Sequence, residues 1–400
     1  MNILIFNCGS SSQGFKLYEA EKNGGQKVLI QGKARHVATL TQSQAVIEWQ
    51  VGDQKQSQNA DLSSHAKAAR EVIRIIKQSG MAVDGIGHRF VHGGERFKKT
   101  VQINADVLDQ LKACFHLAPI HNPNSFAVIE VCLEMLPEAK QYAVFDTAFH
   151  AQLPEAARQY ALPRELVDRY GYRKYGFHGL SYQFVTKRAG ALLDKPASAL
   201  KLIICHLGTG GSSVAAIQDG HSIETSMGYS PLPGLVMSTR CGDLDPEIVL
   251  DMMRNGYGVE DISRVLNNQS GLIGLSGFSS NLEEIISEAE KGNKACQTAF
   301  EVYVKRLQFY LGAYTWLLNR ADAIIFTDDI GVKSWKLRQA VCHGAERLGV
   351  LLDEEANIKN IGALDGCISR PESATRVWVI HTDEEQVMLE EVLDVISRLN

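Results

Sequence analysis

Two stretches of this chain share one plan, and that plan limits what the chain can become. "MNILIFNCGSSSQGFKLYEA" at residues 1–20 and "ALKLIICHLGTGGSSVAAIQDG" at 199–220 each read as an apolar strand, a turn of small residues and a returning strand. Few residues are identical between them, so the repeated order of elements carries the signal. At 400 residues the chain exceeds what one core usually organises, and two domains are expected. Two halves that each open with a Gly/Ser hairpin predict a duplicated α/β fold with a cleft between the halves.

The segments between the hairpins fit that plan. "QKVLIQGKARH" and "SQAVIEWQV" read as further strands. Residues 62–80 read as an amphipathic helix with Ala69, Val72, Ile73 and Ile76 on one face and Gly80 at its stop. "GIGHRFVHGGE" is a strand ending in a glycine turn, "NSFAVIEVCLEML" a helix, and "QYAVFDTAFH" a strand ending at Asp146. The segment 299–318 is a helix apolar on several faces, as expected of a core or a subunit contact. "ADAIIFTDDIGVKSWKLR" runs from a strand through two acids into a helix that starts near Ser334.

Charge and cysteines narrow the function classes. The net charge is −5 with both signs interspersed, so nothing suggests a nucleic-acid or anionic-membrane surface. The eight cysteines are scattered without a CxxC pair, which argues against zinc or a disulfide framework and for a cytosolic setting. The N-terminal apolar run lacks the basic flank and cleavage site of a signal peptide, and no stretch has membrane-spanning length.

The two hairpin turns are the first candidate sites. Small residues let backbone N–H groups converge on an anion, and hydroxyls add donors. Ser10 and Ser12 supply this in "NCGSSS"; Gly208, Thr209 and Gly210, after His206, supply it in "HLGTGG". Either turn alone is an ordinary hairpin. Two at equivalent places point to a phosphate tail, although neither matches a P-loop or a dinucleotide fingerprint. Arg89 and Arg240 are candidate carboxylate or phosphate ligands, because guanidinium donates bidentately and stays charged. The competing reading is a structural Arg–Asp pair, most serious for Arg240 beside Asp243 and Asp245. Asp146 is either a cleft carboxylate or a turn cap. His178, between Phe177 and Gly179, is either a catalytic donor or a satisfied core residue. In "APIHNPNS", His121 packs and Asn122 caps a helix.

Taken together and in order, "NCGSSS", "GHRFVHGGE", "LAPIHNPNS", "FDTAFH", "RKYGFHGLS", "CHLGTGGSS", "ETSMGYSPLPGLVMSTRCGDLDP", "SGLIGLSG" and "HTDEE" resemble the acetate kinase family of short-chain carboxylate kinases, nearly end to end. The resemblance implies a duplicated actin-like, sugar-kinase-like and Hsp70-like (ribonuclease H-like) fold, with an active-site cleft between two domains and pairing as a homodimer. The domains would be 1–147 plus 383–400, carrying the first phosphate turn and substrate residues, and 148–382, carrying the nucleotide side. It implies reversible phosphoryl transfer between ATP and acetate or propionate, giving acetyl phosphate and ADP, with Mg²⁺ (or Mn²⁺ in its place). Carried over residue by residue, Asn7 and Ser10 lie at the first turn. Arg89 and Arg240 bind the carboxylate and the transferring phosphoryl group. Asn7, Asp146 and Glu384 position the metal. His178 donates to the transferring group with His121 and His206 assisting, and Val91, Ile120, Phe177 and Pro231 line a small acyl pocket.

The departures from the family are informative. The first turn has Gly14 where the family usually has Lys, and Lys16 lies on the same strand face. The second turn has Thr209 where Asn is common. Where the family usually reads Gly-Gly-Ile-Gly-Glu-Asn on the adenosine side, this chain reads Asp328-Asp329-Ile330-Gly331-Val332-Lys333. The usual "SSD-x-R" pattern here becomes "SSNLEE". Three readings follow. The acids face solvent and ATP binds by a shifted route; the acids recruit Mg²⁺; or the adenosine half is closed and the donor is pyrophosphate or another nucleotide. The remaining alternatives are a kinase for a longer acid and a non-enzymatic nucleotide-binding regulator on the same scaffold.

Overall fold

The computed structural model describes residues 1–21, 25–39, 45–362 and 364–399. These divide into two compact units, Met1–Phe149 with Asp383–Asn400, and His150–Thr382.

In the first unit, β1 (Asn2–Cys8), β2 (Ser12–Ala20), β3 (Gln26–Arg35), β4 (Val46–Val51), β5 (Gln54–Asn59), β6 (Gly85–Phe90), β7 (Val101–Gln102) and β8 (Lys140–Phe145) form one sheet in the order β5-β4-β3-β2-β1-β6-β8-β7. The opening hairpin is antiparallel, with Asn7 opposite Gly14 and Ile5 opposite Lys16. β1, β6 and β8 then run parallel. The strand expected from Ser43 is observed from Val46; Ser43 and Gln44 lie outside the described residues. Alternation places Leu4, Phe6, Phe15 and Leu17 in a core with Val72, Ile73 and Ile76 of the helix His65–Gln78. Ser64 caps that helix by accepting from the Lys67 N–H, and Gly80 turns the chain away at φ +69°. Each such buried aliphatic side chain contributes about 1.5–3 kcal/mol. The C-terminal helix Glu384–Leu399 packs on β1 and β6, burying Val387, Met388, Leu389 and Val392.

The second unit repeats the arrangement. β9 (Lys201–Gly208), β10 (Gly211–Gln218), β11 (His221–Thr225), β12 (Ala323–Thr327), β13 (Gly366–Cys367) and β14 (Arg376–Val379) are ordered β11-β10-β9-β12-β14-β13. Three antiparallel strands are again followed by parallel neighbours, β9, β12 and β14. The order β3-β2-β1-β6-β8 therefore recurs as β11-β10-β9-β12-β14, the duplicated ribonuclease H-like plan implied by the sequence. The long helix Lys294–Leu318 covers this sheet, burying Tyr303, Leu307, Leu311 and Tyr314 against Cys205, Leu207 and Val214.

The helix expected from near Ser334 is present, and a shorter one precedes it. After β12 a short helix already spans Asp328–Lys333, and a second helix, Trp335–Cys342, follows Ser334. Both acids therefore belong to a first helical turn, six residues before the expected start. Arg338, fully buried, holds the short helix in place. It donates to the carbonyls of Gly331 and Val332 at 2.9 and 2.6 Å, and to Asn357 and Asn360. Backbone carbonyls left over at a helix end need such donors.

Candidate active site

In the first unit, β6 delivers Arg89 and the end of β8 delivers Asp146. The Arg89 Nε lies 3.2 Å from both Asp146 oxygens and one Nη closes the ion pair. The other Nη donates to the Cys8 carbonyl at 3.1 Å and faces the Asn7 Oδ1 at 3.4 Å. Asp146 is buried, and this partner offsets the cost of burying a carboxylate. Burial disfavours the Arg89 charge, but Asp146 and then Glu384 favour it more, and its pKa is raised. Asn7 Nδ2 donates to Glu384 and to Glu385, each at 3.0 Å. The turn itself is tight: Gly9 N–H donates to the Ser12 carbonyl at 2.8 Å, and Ser10 is exposed at the tip.

Lys16 does not stand open to a ligand in this arrangement. Its Nζ holds both Asp383 oxygens at 2.8 and 2.9 Å and lies 3.6 Å from Glu385. A Cβ at Gly14 would lie 3.1 Å from Glu385 Oε1, so position 14 faces the same carboxylates. Val91 is buried and Ile120 is 62% exposed. His121 precedes the helix Asn122–Met135, its carbonyl accepting from Ser125 N–H at 3.0 Å. Asn122 is buried and does not cap. It ties the loop together, accepting from His92 N–H and donating to the His92 and Cys114 carbonyls.

In the second unit, His178 sits at φ +59° ahead of the helix Gly179–Leu192. His178 Nδ1 lies 2.8 Å from Ser213 Oγ, and Tyr182 OH lies 2.5 Å from the same oxygen. Burial keeps the Tyr182 phenol protonated, and the Ser213 hydroxyl bridges it to His178 Nδ1. The His178 ring stacks on His206 at 4.0 Å. His206 Nδ1 lies 2.8 Å from Ser181 Oγ, and its Nε2 lies 3.1 Å from Asp328 Oδ2.

The competing Arg240–Asp243/Asp245 ion pair is not formed. Asp243 accepts from Arg306 at 2.9 Å, Tyr310 at 2.7 Å and Gly234 N–H, and Asp245 caps the helix Pro246–Arg254. The Arg240 guanidinium makes only long contacts among the described residues, to the Pro231 carbonyl at 3.4 Å and Met237 Sδ at 3.7 Å. Burial lowers its pKa, and no carboxylate of the described residues offsets that. A Cβ at Gly211 would meet Arg240 Nη1 at 3.1 Å and His178 Nε2 at 3.5 Å. A guanidinium and an imidazole nitrogen thus converge over a bare glycine. Pro231 is half-buried beside them, whereas Phe177 is fully buried, its carbonyl accepting from His150 Nε2 at 3.0 Å.

The paired acids are half-buried and are bonded to the second unit's own turn rather than left to water alone. Asp329 Oδ1 accepts from Thr209 N–H at 2.9 Å and from its own neighbour Ile330 N–H at 2.8 Å, while Oδ2 accepts from Thr209 Oγ1 at 2.9 Å. Asp328 holds φ +62°, a left-handed conformation where glycine is usual. A Cβ at Gly208 would come within 2.0 Å of Asp328 Oδ2, so that carboxylate covers the Gly208 backbone. Gly210 faces open space, and Gly331 is buried.

Sequence reasoning missed Ser213, Tyr182, Ser181, Asp383 and Glu385. The last two lie in the quoted "HTDEE", where a run of acids was itself a signal. The two serines end the quoted "CHLGTGGSS" and "RKYGFHGLS", but which hydroxyl meets which histidine, and the part of Tyr182, is set by contacts distant in sequence.

The profile of the acetokinase family matches residues 2–390. Acetate kinase of Dictyoglomus thermophilum is 40% identical over 406 aligned residues, covering 100% of both chains. The crystal structure of acetate kinase from Entamoeba histolytica superposes with a TM-score of 0.89 at 40% identity, covering 99% of this chain and 100% of that one. A propionate kinase from Francisella tularensis gives 0.88 at 35% identity, covering 98% of each. On the strength of a match along nearly its whole length, in sequence and in fold, the chain belongs to the acetokinase family.

Proposed function

We propose that the chain transfers a phosphoryl group reversibly between ATP and acetate, giving acetyl phosphate and ADP. One observation carries this reading: Arg240 holds a partly buried positive charge that no carboxylate of the described residues pairs, aimed with His178 Nε2 over Gly211. A site built that way is complementary to an anion. An acetate oxygen attacks the terminal phosphorus, and the bond to the ADP oxygen breaks. Such a reaction needs in-line placement and positive charge at the equatorial oxygens more than covalent help. Arg240 and His178 would meet the transferring group. In the first unit, Arg89, fixed by Asp146, would bind a carboxylate or phosphoryl oxygen.

The donor set of the first unit suits Mg²⁺. Asp146 and Glu384 are hard oxygen ligands and Asn7 contributes an amide. Among the described residues no three acidic, His or Cys side chains gather into a metal cage. Mg²⁺ is commonly held by one or two carboxylates, waters and substrate phosphates, so the set fits. The ion would neutralise phosphoryl oxygens. Val91 and Ile120 would border a small acyl group; an added methylene is worth only about 1–3 kcal/mol, so propionate would overlap with acetate.

A second reading concerns the donor. The filled turn at Thr209 favours one that does not need this turn, such as pyrophosphate or another nucleotide. We also place the chain in the cytosol as a homodimer. The eight unpaired cysteines support the first, and the exposed Leu244, Ile248, Leu250, Met253 and Val259 support the second. No described helix is long and apolar enough to cross a membrane.

The test incubates the protein with acetate, propionate or butyrate, hydroxylamine, Mg²⁺, and ATP, GTP or pyrophosphate in turn, and measures hydroxamate. Product with acetate and ATP supports the first reading, and product with pyrophosphate alone the second. No product with any pair favours a non-enzymatic role.

A further inference from the structure

The loop after β12 places a carboxylate where a phosphate would otherwise bind. We propose that Asp329 is an internal competitor for the second hairpin turn, and so sets how tightly the phosphoryl donor binds. The inference rests on the functional reading above. It adds a residue that acts on donor binding and leaves acceptor binding alone.

Three donors of an anion cradle are already used by one side chain. Thr209 N–H and Thr209 Oγ1–H reach the two Asp329 oxygens at 2.9 Å, and Ile330 N–H reaches one of them at 2.8 Å. A bidentate carboxylate with that pattern imitates two oxygens of a phosphate. Asp328 adds a cover: its Oδ2 lies over Gly208, and His206 Nε2 holds it at 3.1 Å. The loop is also anchored from beneath, because Arg338 takes the carbonyls of Gly331 and Val332. Asp329 is thus presented to the turn by a fixed helix rather than by a swinging surface chain.

A donor phosphate entering this turn must displace the carboxylate or sit beside a like charge. Either raises the donor's apparent dissociation constant without touching Arg240 or His178. Gly210 remains open, so phosphates placed beyond Thr209 are not obstructed by it. The turn therefore discriminates by which donor phosphate needs the Thr209 N–H.

Asp329→Ala and Asp329→Asn test this in the full chain, with Asp329→Ser kept in reserve because it retains a cap for Ile330. Circular dichroism verifies folding. Steady-state kinetics with ATP and with pyrophosphate, and calorimetric titration with MgADP, give the readouts. At least one donor's KM, and the MgADP dissociation constant, should fall about tenfold or more once the like charge is gone. The kcat should stay within about twofold and the acetate KM should not move. Unchanged or weaker donor binding in folded variants would overturn the inference. If the wild type turns over no donor, the functional reading has failed. The MgADP titration then decides this inference alone: tighter binding in the variants upholds it, and equal binding rejects it.

Discussion

Arg240→Ala separates a functional arginine from a structural one. Arg240 is half-buried, its pKa is lowered by burial, and its contacts are a carbonyl at 3.4 Å and a thioether at 3.7 Å. A cation drawn out of water without an anion is a desolvation cost to the fold. Removing it should leave the free protein as stable as before or up to about 1 kcal/mol more stable, less any packing lost with the side-chain stem. Turnover should behave in the opposite way. A guanidinium that meets charge developing in the transition state is worth on the order of 3 kcal/mol, or about a hundredfold in kcat/KM. Urea titration and the hydroxamate assay measure the two quantities on one preparation. A third readout links them: inorganic phosphate or acetyl phosphate should raise the melting temperature of the wild type more than that of the variant. Arg240→Lys should recover only part of the activity, because a point charge replaces a planar fork. Near-normal turnover in Arg240→Ala would refute the assignment. So would a stability loss of several kcal/mol, since it would mean that the side chain serves the fold.

The other predictions turn on first-unit residues. Arg89→Ala strands buried Asp146, so urea unfolding should show a loss of about 3–5 kcal/mol, with most of it recovered in Arg89→Ala/Asp146→Asn. His88 is buried and its pKa is lowered by desolvation to about 4 from 6.5. The unfolded state therefore binds the extra proton between those values, and stability should fall as pH drops from about 6.5 towards 4, by up to about 3 kcal/mol. His88→Gln should flatten that part of the pH–stability curve in urea titrations. Gly14→Lys would bring a second ammonium to Glu385, beside the Lys16–Asp383 pair. The thermal midpoint should hold or rise; a marked fall would mean that position 14 has no room for the stem.

How much of this was legible in the sequence depends on the range of the interaction. Short continuous apolar runs and small-residue turns are local, so the two hairpins and the fold repeated around them were readable from "NILIFN" and "KLIICHLG". The helix His65–Gln78 was equally readable, because its apolar face recurs at helical spacing. The helix start at Asp328 was missed because two adjacent acids suit both a loop and a first helical turn.

Pairing across strands is not local, and there neighbours in sequence misled. Asp243 and Asp245 stand close after Arg240 in the chain, yet Arg306 and Tyr310, from a distant helix, claim Asp243, and Asp245 caps its own helix. The acid nearest Arg89 along the chain is Asp84, and it accepts instead from the Asn2 N–H at 2.6 Å. The partner of Arg89, Asp146, arrives at the end of β8, a parallel neighbour of β6. The arginine that sequence made the more suspect as an ion-pair residue is the uncompensated one, and the less suspect one is paired. The same logic explains the opening acids of the short helix. On sequence alone they could face water, because nothing near them supplies donors. Folding brings β9's turn to them, and Thr209 supplies an N–H and an O–H that a carboxylate in a partly buried loop accepts at once. An acid placed opposite such a turn therefore does more than repel an incoming anion; it occupies the turn's own donors.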